Sequence, residues 1–384
     1  MFFDMVSTQG QAGGQKTISE TQARRINWRH YVGRYEVVMA ILNILLALFF
    51  YWETPRYVAP ANIYTLLRYT EDIGILTIAE VPIMFLGLID LSPTGIANLV
   101  PLIDWSLWQY FMAVGIAFYP ALIIATLIAW LLAAFIGFIN GVVIAKGKVN
   151  FLVATVATLF ATDGFALIGW GGWPEPFPGA DKAYFFSGAI GGVLPIPFIW
   201  AFAYAILIMF LFYRTKFGVY VTAGGSNPTW AREAGVPVDK YIIIAYVLSG
   251  LAGGILGVID GSVVREVSAT NFTSDLTLEA IAAAVIGGTL LTGGKGTPIG
   301  SFLGALLIAQ LLDGFTVLGI NAYAYDAIVG IAILVLMVTT GNREAFTQYF
   351  RRITSLRMTE SVTTDGGSKN EKNEQSKEDK DGER

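Results

Sequence analysis

The sequence predicts an all-α polytopic membrane protein with about ten transmembrane helices. Of its 384 residues, 54% are hydrophobic and only 14% are charged, whereas soluble domains contain about 45–50% apolar and about 25% charged residues. Mean hydropathy is +0.59. Ten apolar segments approach the ~20 residues that a spanning helix needs. The Lys and Arg residues are concentrated in alternate loops, which is typical of membrane proteins.

The ten apolar segments follow one another along most of the chain. They are 37–51, 73–88, 95–118, 121–143, 151–170, 194–213, 241–259, 278–291, 301–318 and 327–338. The third is the least regular, because Pro101 and Asp104 interrupt it. Pairs of glycines four residues apart predict close helix packing, within the subunit or with a second copy. These pairs are Gly137 with Gly141, Gly250 with Gly254, Gly253 with Gly257, and Gly300 with Gly304.

The basic residues predict which side of the membrane each loop occupies. With a cytoplasmic N-terminus, 21 of the 25 Lys and Arg residues fall in cytoplasmic segments and none falls inside a predicted span. The outer loops hold only Arg56, Arg68, Lys182 and Arg265. Because cytoplasmic loops are enriched in Lys and Arg, this bias predicts an even number of spans with both termini cytoplasmic.

The membrane part, 37–340, lies between two polar ends. Residues 1–36 form a basic N-terminal segment, and residues 341–384 form a C-terminal tail. From about residue 358 the tail has almost no apolar side chains, so we expect it to be disordered, because it cannot offset its ordering entropy. Neither end, nor any loop, is long enough to contain an ATPase domain.

The composition excludes several kinds of chemistry. The chain has no cysteine, and its one histidine, His30, precedes the first span, which excludes thiol catalysis and any multi-histidine metal site within the membrane. The glycine-rich stretch 286–301 does not match a phosphate-binding loop, because Thr289 and Gly296 occupy positions where that motif needs glycine and Ser or Thr. It predicts a tight hairpin between two spans.

The cytoplasmic loop 214–240 contains a signal for a short helix. Asn227 is a good N-cap, Pro228 fits the first helical position, and Gly235 with Pro237 ends the helix. A helix of about two turns needs a partner surface, because it is too short to be stable alone. The loop is therefore a docking element or an ordinary connector lying on the membrane.

Among the acidic residues inside predicted spans, Glu80, Asp163 and Asp313 are the candidates for a functional role. Ionisable groups in a membrane are costly and usually face a cavity or a partner. They are candidates for the translocation path. Alternatively, each is a hydrogen-bonded packing group, since no Lys or Arg lies inside a predicted span to pair with it.

Several strings resemble the membrane permease subunits of ribose/xylose-type ATP-binding cassette (ABC) importers, which are related to the branched-chain amino acid permeases. They occur in the family's order between about residues 67 and 338: 89–92 (IDLS), 140–149 (NGVVIAKGKV), 224–236 (GGSNPTWAREAGV), 246–253 (YVLSGLAG), 282–289 (AAAVIGGT) and 293–297 (GGKGT). In the third string the family more often has a small or charged residue in place of Trp230. Ser226 and Pro228 also depart from its commonest form, as do Pro93 to Gly95 after the first string.

The resemblance implies the ABC importer permease fold and a sugar-import function in a prokaryotic cell membrane. The short helix coincides with the segment that couples such permeases to their ATPase. The residues assigned to this coupling segment are Gly224, Gly225, Asn227, Ala231, Arg232, Glu233 and Gly235. The implied partners are an ABC ATPase, an extracellular sugar-binding protein, and a second permease that is identical or different. The chain would hold no cofactor, because ATP and Mg²⁺ bind to the ATPase, and it would catalyse no reaction.

Other functions remain possible at this stage. Within the same fold the substrate could be a nucleoside, an autoinducer-type signal or a branched-chain amino acid. An ion-coupled secondary transporter would use Glu80, Asp163 and Asp313 as a proton or ion relay. A membrane-embedded enzyme is disfavoured by the lack of cysteine and of histidine within the spans. No feature indicates nucleic-acid binding.

Overall fold

The structure, a computed structural model, describes residues 35–179 and 181–320, together with Ala327, Gly330 and Ile331. Its long helices are α1 (Tyr35–Glu53), α2 (Pro60–Phe85), α3 (Pro93–Ala113), α4 (Phe118–Ala145), α5 (Phe151–Trp170), α7 (Ile196–Arg214), α10 (Val238–Val264), α11 (Ser274–Ile286) and α12 (Pro298–Val317). Shorter helices are α6 (Tyr184–Ser187), α8 (Lys216–Ser226) and α9 (Pro228–Glu233). Most of the basic N-terminal segment, the C-terminal tail and most of the tenth predicted span lie outside the described residues.

Six helices in the described part of the chain are long and apolar enough to cross a membrane: α1, α4, α5, α7, α10 and α12. They confirm a polytopic all-α membrane protein. Six of the predicted spans match one of these helices to within about five residues. The helices α2, α3 and α11 also occur where spans are predicted, although their bounds or lengths differ.

The second predicted span begins too late. The helix α2 starts at Pro60, which occupies the first helical turn, and runs for 26 residues. The sequence prediction places Arg68 in an outer loop before this span, but residues 60–72 form the first half of α2. The expectation that no basic residue lies within a membrane-length helix is therefore wrong for Arg68, which is buried in α2.

The helices at the third and eighth predicted spans also end earlier than predicted. The helix α3 ends at Ala113, before Gly115 takes a positive φ of 90°. The helix α11 has only 13 residues and ends at Ile286, where the prediction extended to 291. Gly287 and Gly288 follow, and Gly288 has φ +97°, which ends the helix in the left-handed region that glycine adopts most easily.

The helix α10 forms the centre of the bundle. In its most apolar 18-residue stretch, 72% of the residues are buried, whereas the corresponding share is 17% for α1 and for α5. It crosses α4 at very short range, because a Cβ on Gly137 would lie 2.2 Å from the Tyr246 carbonyl oxygen and one on Gly250 would lie 2.5 Å from that of Ala133. The predicted glycine pairs on α4 and α10 are thus confirmed as helix contacts within the subunit.

Two small two-stranded sheets lie at one end of the bundle. In one, β1 (Glu175–Pro176) pairs antiparallel with β4 (Glu266–Val267), and in the other β2 (Ala189–Ile190) pairs with β3 (Leu194–Pro195). The helices α8 and α9 lie at the opposite end, which we call the α9 end. The chain thus has two distinct ends, one with the strands and one with α9.

Candidate functional site

The short helix α9 lies where the sequence predicts it. The Asn227 side chain accepts a hydrogen bond from the Trp230 N–H at 3.1 Å, and Pro228 occupies the first turn. Gly235 has φ +82°, as expected just beyond a helix C-terminus. The prediction of a capped helix is confirmed. The preceding helix α8 was not predicted; the Thr215 hydroxyl caps it by accepting a hydrogen bond from the Phe217 N–H at 3.1 Å.

One face of α9 is buried and the other is exposed. Ala231 is buried against an apolar cluster that includes Phe217, Val221 and Val238. Trp230 is 72% exposed, and Arg232 and Glu233 are also exposed. An exposed tryptophan flanked by charges is typical of a surface that contacts another protein.

An ion pair links the exposed side of α9 to the start of α10. An Arg232 guanidinium nitrogen lies 2.7 Å from the Asp239 carboxylate, and the Lys148 ammonium lies 3.5 Å from the same oxygen. These side chains are between 41% and 64% exposed, so solvent and salt screen the attraction and the pair contributes little to stability. Its effect is to orient α9 with respect to α10.

Three backbone segments meet beneath α9, at what we call the three-loop junction of Phe85, Gly225 and Gly294. The Gly294 N–H donates to the Phe85 carbonyl at 2.8 Å. A Cβ on Gly225 would lie 1.6 Å from the same oxygen, so no other residue fits there without a backbone shift. Gly224 is buried nearby, where a Cβ would lie 3.2 Å from both Leu86 and Val238. The end of α2 therefore directly contacts both the α8–α9 connection and the glycine-rich loop.

The glycine-rich loop is a tight turn, as predicted. The Leu290 N–H donates to the Lys295 carbonyl at 3.0 Å, and Gly293, Gly294 and Gly296 have positive φ values. Its contact with α2 and Gly225 was not predicted, because local spacing in the sequence does not indicate which loops approach one another.

The three predicted path residues lie at separate places. Glu80 is fully buried in α2. Asp163 in α5 is half-buried and accepts a hydrogen bond from the Asn98 side chain at 3.0 Å. Asp313 in α12 is buried and accepts from the Asn62 side chain at 2.7 Å. In the described part of the chain no hydrogen bond or ion pair joins any two of the three, and none pairs with Lys or Arg.

Glu80 belongs to a buried polar network near the α9 end. Its carboxylate accepts from the Asp90 N–H at 3.3 Å, and Asp90 accepts from the Ser92 hydroxyl at 2.7 Å. The Asn140 side chain donates to Ser92 at 3.0 Å and accepts from the Thr158 hydroxyl. The network joins α2, α3, α4 and α5. The motif at 89–92 therefore fixes the turn between α2 and α3 to its neighbours.

Asp313 lies near the Tyr57 hydroxyl, at the end of the bundle with the strands. Its second carboxylate oxygen is buried with no hydrogen-bond partner among the described residues, as is the Tyr57 hydroxyl. Tyr57 lies in a short 3-10 helix, Pro55–Val58, between α1 and α2. Burial, together with the nearby Asp313 carboxylate, raises the pKa of the Tyr57 hydroxyl well above its usual range.

A charged group that the sequence reasoning missed lies on α2 and α10. Arg68 contacts the carboxylate of Glu71 one turn along α2 and lies 2.7 Å from that of Asp260 on α10 and 3.4 Å from that of Asp72. We call these four residues the Arg68 cluster. Their spacing of three and four residues along α2 places Glu71 and Asp72 next to Arg68 on a helix. Pro60 is also a helix-start signal. Together with this spacing, it is the feature of the sequence that could have indicated a helix around Arg68.

The described residues also border an apolar cavity of about 500 Å³ between α3, α4 and α5, which is open to the surface. Its walls include Phe135, Phe165 and Trp170. They offer almost no polar surface, so the cavity does not suit a hydroxyl-rich solute, which needs hydrogen-bonding groups. Within the described residues no group of three or more His, Cys, Asp or Glu side chains is arranged to hold a metal ion.

Comparisons with known proteins agree with the resemblance. Residues 62–338 match the family model described as branched-chain amino acid transport system / permease component. The chain is 46% identical over 314 residues to the xylose/arabinose import permease protein of Sulfolobus acidocaldarius, which covers 82% of this chain and 86% of that protein. It is 30% identical over 311 residues to the ribose import permease protein of Escherichia coli, covering 80% and 91%.

A third relative matches a longer part of this chain. The ribose import permease protein of Bacillus subtilis is 29% identical over 329 residues, covering 85% of this chain and 98% of that protein. No solved structure matched this chain. The family model covers well over half of the chain, and the first relative is far above 30% identity. The chain therefore belongs to the family described as branched-chain amino acid transport system / permease component, and it is a multi-pass membrane permease.

Proposed function

We propose that this chain is the permease subunit of an ABC importer and forms the translocation path for a monosaccharide of the pentose class. The observation that carries the proposal is the 46% identity, over 82% of the chain, to a permease named for xylose and arabinose import. Two ribose import permeases match over similar lengths. Substrates such as nucleosides or branched-chain amino acids, which the family also suggests, have less support.

The proposed topology has about ten spans with both termini in the cytoplasm. The long helices α1 to α5, α7 and α10 to α12 cross in alternation, and segment 327–338 returns the chain to the inner side. The distribution of Lys and Arg supports this orientation. It puts α8, α9 and the three-loop junction in the cytoplasm, and the strands outside.

The proposed partner at α9 is an ABC ATPase, which would bind and hydrolyse ATP with Mg²⁺. This chain would hold no cofactor and catalyse no reaction. An exposed Trp230 beside Arg232 and Glu233 supports the docking role. Movement of α9 would reach α2 through the three-loop junction and α10 through Val238, so the two helices can respond together. A second permease and an extracellular sugar-binding protein would complete the importer.

The first experiment purifies the tagged complex in mild detergent and measures how much ATPase remains bound. We expect the ATPase with the parent chain and at least tenfold less with the double variant Arg232→Ala, Glu233→Ala. Since Arg232 also pairs with Asp239, the matched control is Asp239→Asn, which removes the ion pair but keeps the exposed face of α9. The control should retain the ATPase. Equal retention in the double variant would overturn docking at α9.

Uptake into vesicles separates the proposal from an ion-coupled transporter. The proposal expects sugar uptake to require ATP together with the ATPase and the binding protein, and to continue when the proton gradient is collapsed. Among the described residues no hydrogen bond joins any two of Glu80, Asp163 and Asp313, which favours this outcome, because a relay needs groups within hydrogen-bond reach of one another. Uptake by the chain alone without ATP would refute the proposal.

A further inference from the structure

The segment between α10 and α11 turns back into the membrane part of the molecule. Two hydrogen bonds, of 2.9 and 3.0 Å, join the backbone of Phe272 to the Asn98 side chain on α3. The carbonyl oxygen of the preceding residue, Ala97, would lie 2.3 Å from a Cβ on Gly257 of α10. Phe272 is therefore nearly level with Gly257, which is seven residues, or about 10 Å, before the end of α10 at Val264.

The first residue of α11 lies at a similar depth. The Thr77 hydroxyl of α2 donates to the Ala280 carbonyl at 3.2 Å. In the proposed topology both helices run inward, so six residues earlier in each helix Ser274 is level with Glu71. That level is 11 residues, or about 16 Å, from Pro60 at the start of α2. The 26 residues of α2 rise about 39 Å, about 9 Å more than the ~30 Å hydrocarbon core. Even with all of this excess outside, Ser274 would be about 7 Å inside the core.

This deep segment carries exposed polar side chains. We call residues 270–275 the re-entrant strip. Thr270, Thr273, Ser274 and Asp275 are exposed. Within the described residues no hydrogen bond or ion pair involves the side chains of Thr273, Ser274 or Asp275. Polar groups that leave water without a protein partner are costly, so these side chains need water or a polar solute beside them.

The middle of α4 shows the side chains that exposure to lipid requires. Exposed residues there are the apolar Leu127, Leu131 and Phe135. Charged groups in hydrocarbon are costly, and non-helical backbone at that depth occurs only where protein covers it or where it lines a water-filled cavity. The re-entrant strip is non-helical up to Thr273 and is exposed. Its surroundings are therefore water and not lipid.

A path residue predicted from the sequence borders the strip. The Asn98 amide nitrogen that donates to the Phe272 carbonyl also donates to the Asp163 carboxylate at 3.0 Å. Asp163 is half-buried and lies past the middle of α5, so it too is at membrane depth. The Thr277 hydroxyl donates to that of Thr94 at 3.3 Å, which attaches α11 to the same helix, α3. Asp163 and the strip thus form one polar surface.

We infer that the re-entrant strip, together with Asp163, lines the outer half of a water-filled translocation path. The inference rests on the proposed function, which supplies the topology and the solute. The hydroxyl groups of the strip both donate and accept hydrogen bonds, and the Asp275 carboxylate accepts them. The strip can therefore replace the water around a hydroxyl-rich solute as it passes. Among the described residues, Asp163 is the one predicted path residue that is hydrogen-bonded to a partner of this strip.

The test uses the complete importer in proteoliposomes, with single cysteines introduced into a chain that has none. A hydrophilic maleimide is present on both sides of the membrane, and its reaction rate is measured for Ser274→Cys and Asp275→Cys. The matched control is Leu131→Cys, at a position that is 71% exposed in the middle of α4. The strip variants should react about tenfold faster, because a thiol in hydrocarbon does not form the reactive thiolate. Equal labelling of all variants after denaturation in detergent shows that each thiol is intact.

Uptake of D-xylose by the labelled importers distinguishes a path from an outer surface that water also reaches. The surface control is Glu53→Cys, at the exposed end of α1. Modification of Ser274→Cys or Asp275→Cys should lower uptake about tenfold, because a bulky group narrows the path that the solute follows. Modification of Glu53→Cys should leave uptake unchanged.

Two results would overturn the inference. Strip cysteines that react as slowly as Leu131→Cys would show that lipid or a partner subunit covers them. Strip cysteines that react rapidly but leave uptake unchanged would assign the strip to the outer surface. If the parent importer transports no pentose, the proposed function fails, and the labelling rates still decide whether water reaches the strip. Size-exclusion chromatography of each variant with its ATPase ensures that a loss of uptake does not arise from unfolding.

Discussion

The Phe85 carbonyl oxygen occupies the space where any residue other than glycine at position 225 would place its Cβ. The same oxygen accepts the hydrogen bond from Gly294. It therefore cannot move away from a new side chain without breaking the bond that attaches the glycine-rich loop. The cost of a substitution at Gly225 is set by this bond as well as by steric overlap.

We expect Gly225→Ala to destabilise the protein by about 1–3 kcal/mol, the usual cost of forcing an extra methyl group into a packed site. The measurement is the midpoint of thermal unfolding in detergent, followed by size-exclusion chromatography. Gly164→Ala is the matched control, because a Cβ on this helical glycine meets nothing within 4 Å. Equal midpoints for the two variants would show that the close contact at Gly225 is absent.

Residues differ in how far their roles follow from local sequence. The capping by Asn227 was predictable, because a cap depends on neighbours within four positions of the chain. The Arg68–Asp260 contact was not, since its partners are 192 residues apart. The sequence alone therefore places Arg68 in an outer loop, whereas the structure places it in α2. The charge is tolerated because three carboxylates surround it.

Among the elements, α9 depends most on its cap. It has only six residues, so the backbone N–H groups of its first turn lack partners within the helix. The Asn227 side chain supplies one, at Trp230. With so few residues, losing the cap changes the helix population more than it would in a long helix.

The substitution Asn227→Ala should lower the stability of α9 by about 1 kcal/mol. Under the proposed docking, this corresponds to roughly fivefold weaker binding of the ATPase, because the ordered helix is the form that binds. A titration of purified ATPase against the permease in nanodiscs measures the affinity. Asn227→Asp retains a capping oxygen, so this variant should bind the ATPase like the parent chain. If both substitutions weaken ATPase binding, the effect comes from loss of the Asn227 amide group and not from loss of the cap.

Across the whole molecule, the end that carries the strands and the end that carries α9 should face opposite sides of the membrane. Since the chain contains no cysteine, a single introduced cysteine can be labelled without background. Exposed positions are available at each end, at Asp181 near the strands and at Ser226 before α9.

We expect a membrane-impermeant maleimide to label Asp181→Cys in intact cells, and Ser226→Cys only after the membrane is permeabilised. The physical reason is the excess of Lys and Arg in the loops on the α9 side. Labelling in permeabilised membranes confirms that both positions are reactive. Labelling of Ser226→Cys in intact cells would reverse the proposed orientation.

The overall fold was largely predictable because hydropathy and glycine spacing are local properties of the chain. They gave α4, α5, α7, α10 and α12 to within a few residues, and the packing of α4 against α10. The bounds of α2 and α11 were not predictable, because they depend on tertiary contacts. Partners on α10 stabilise the charged first half of α2, and a glycine-rich loop bonded to α2 follows the early end of α11.

The short helix α11 has a consequence for how the chain is inserted. Under the proposed topology, its 13 residues rise about 20 Å, less than the ~30 Å hydrocarbon core, so the non-helical backbone starts at membrane depth at Gly287 and runs from there to the three-loop junction at the cytoplasmic face. Such backbone is tolerated only where protein covers it, and here α2 supplies the bond to Gly294. This segment cannot leave the translocon for lipid by itself. We therefore expect its biogenesis to require that α2, which is completed about 190 residues before α11 begins, be held nearby until α11 and α12 have emerged.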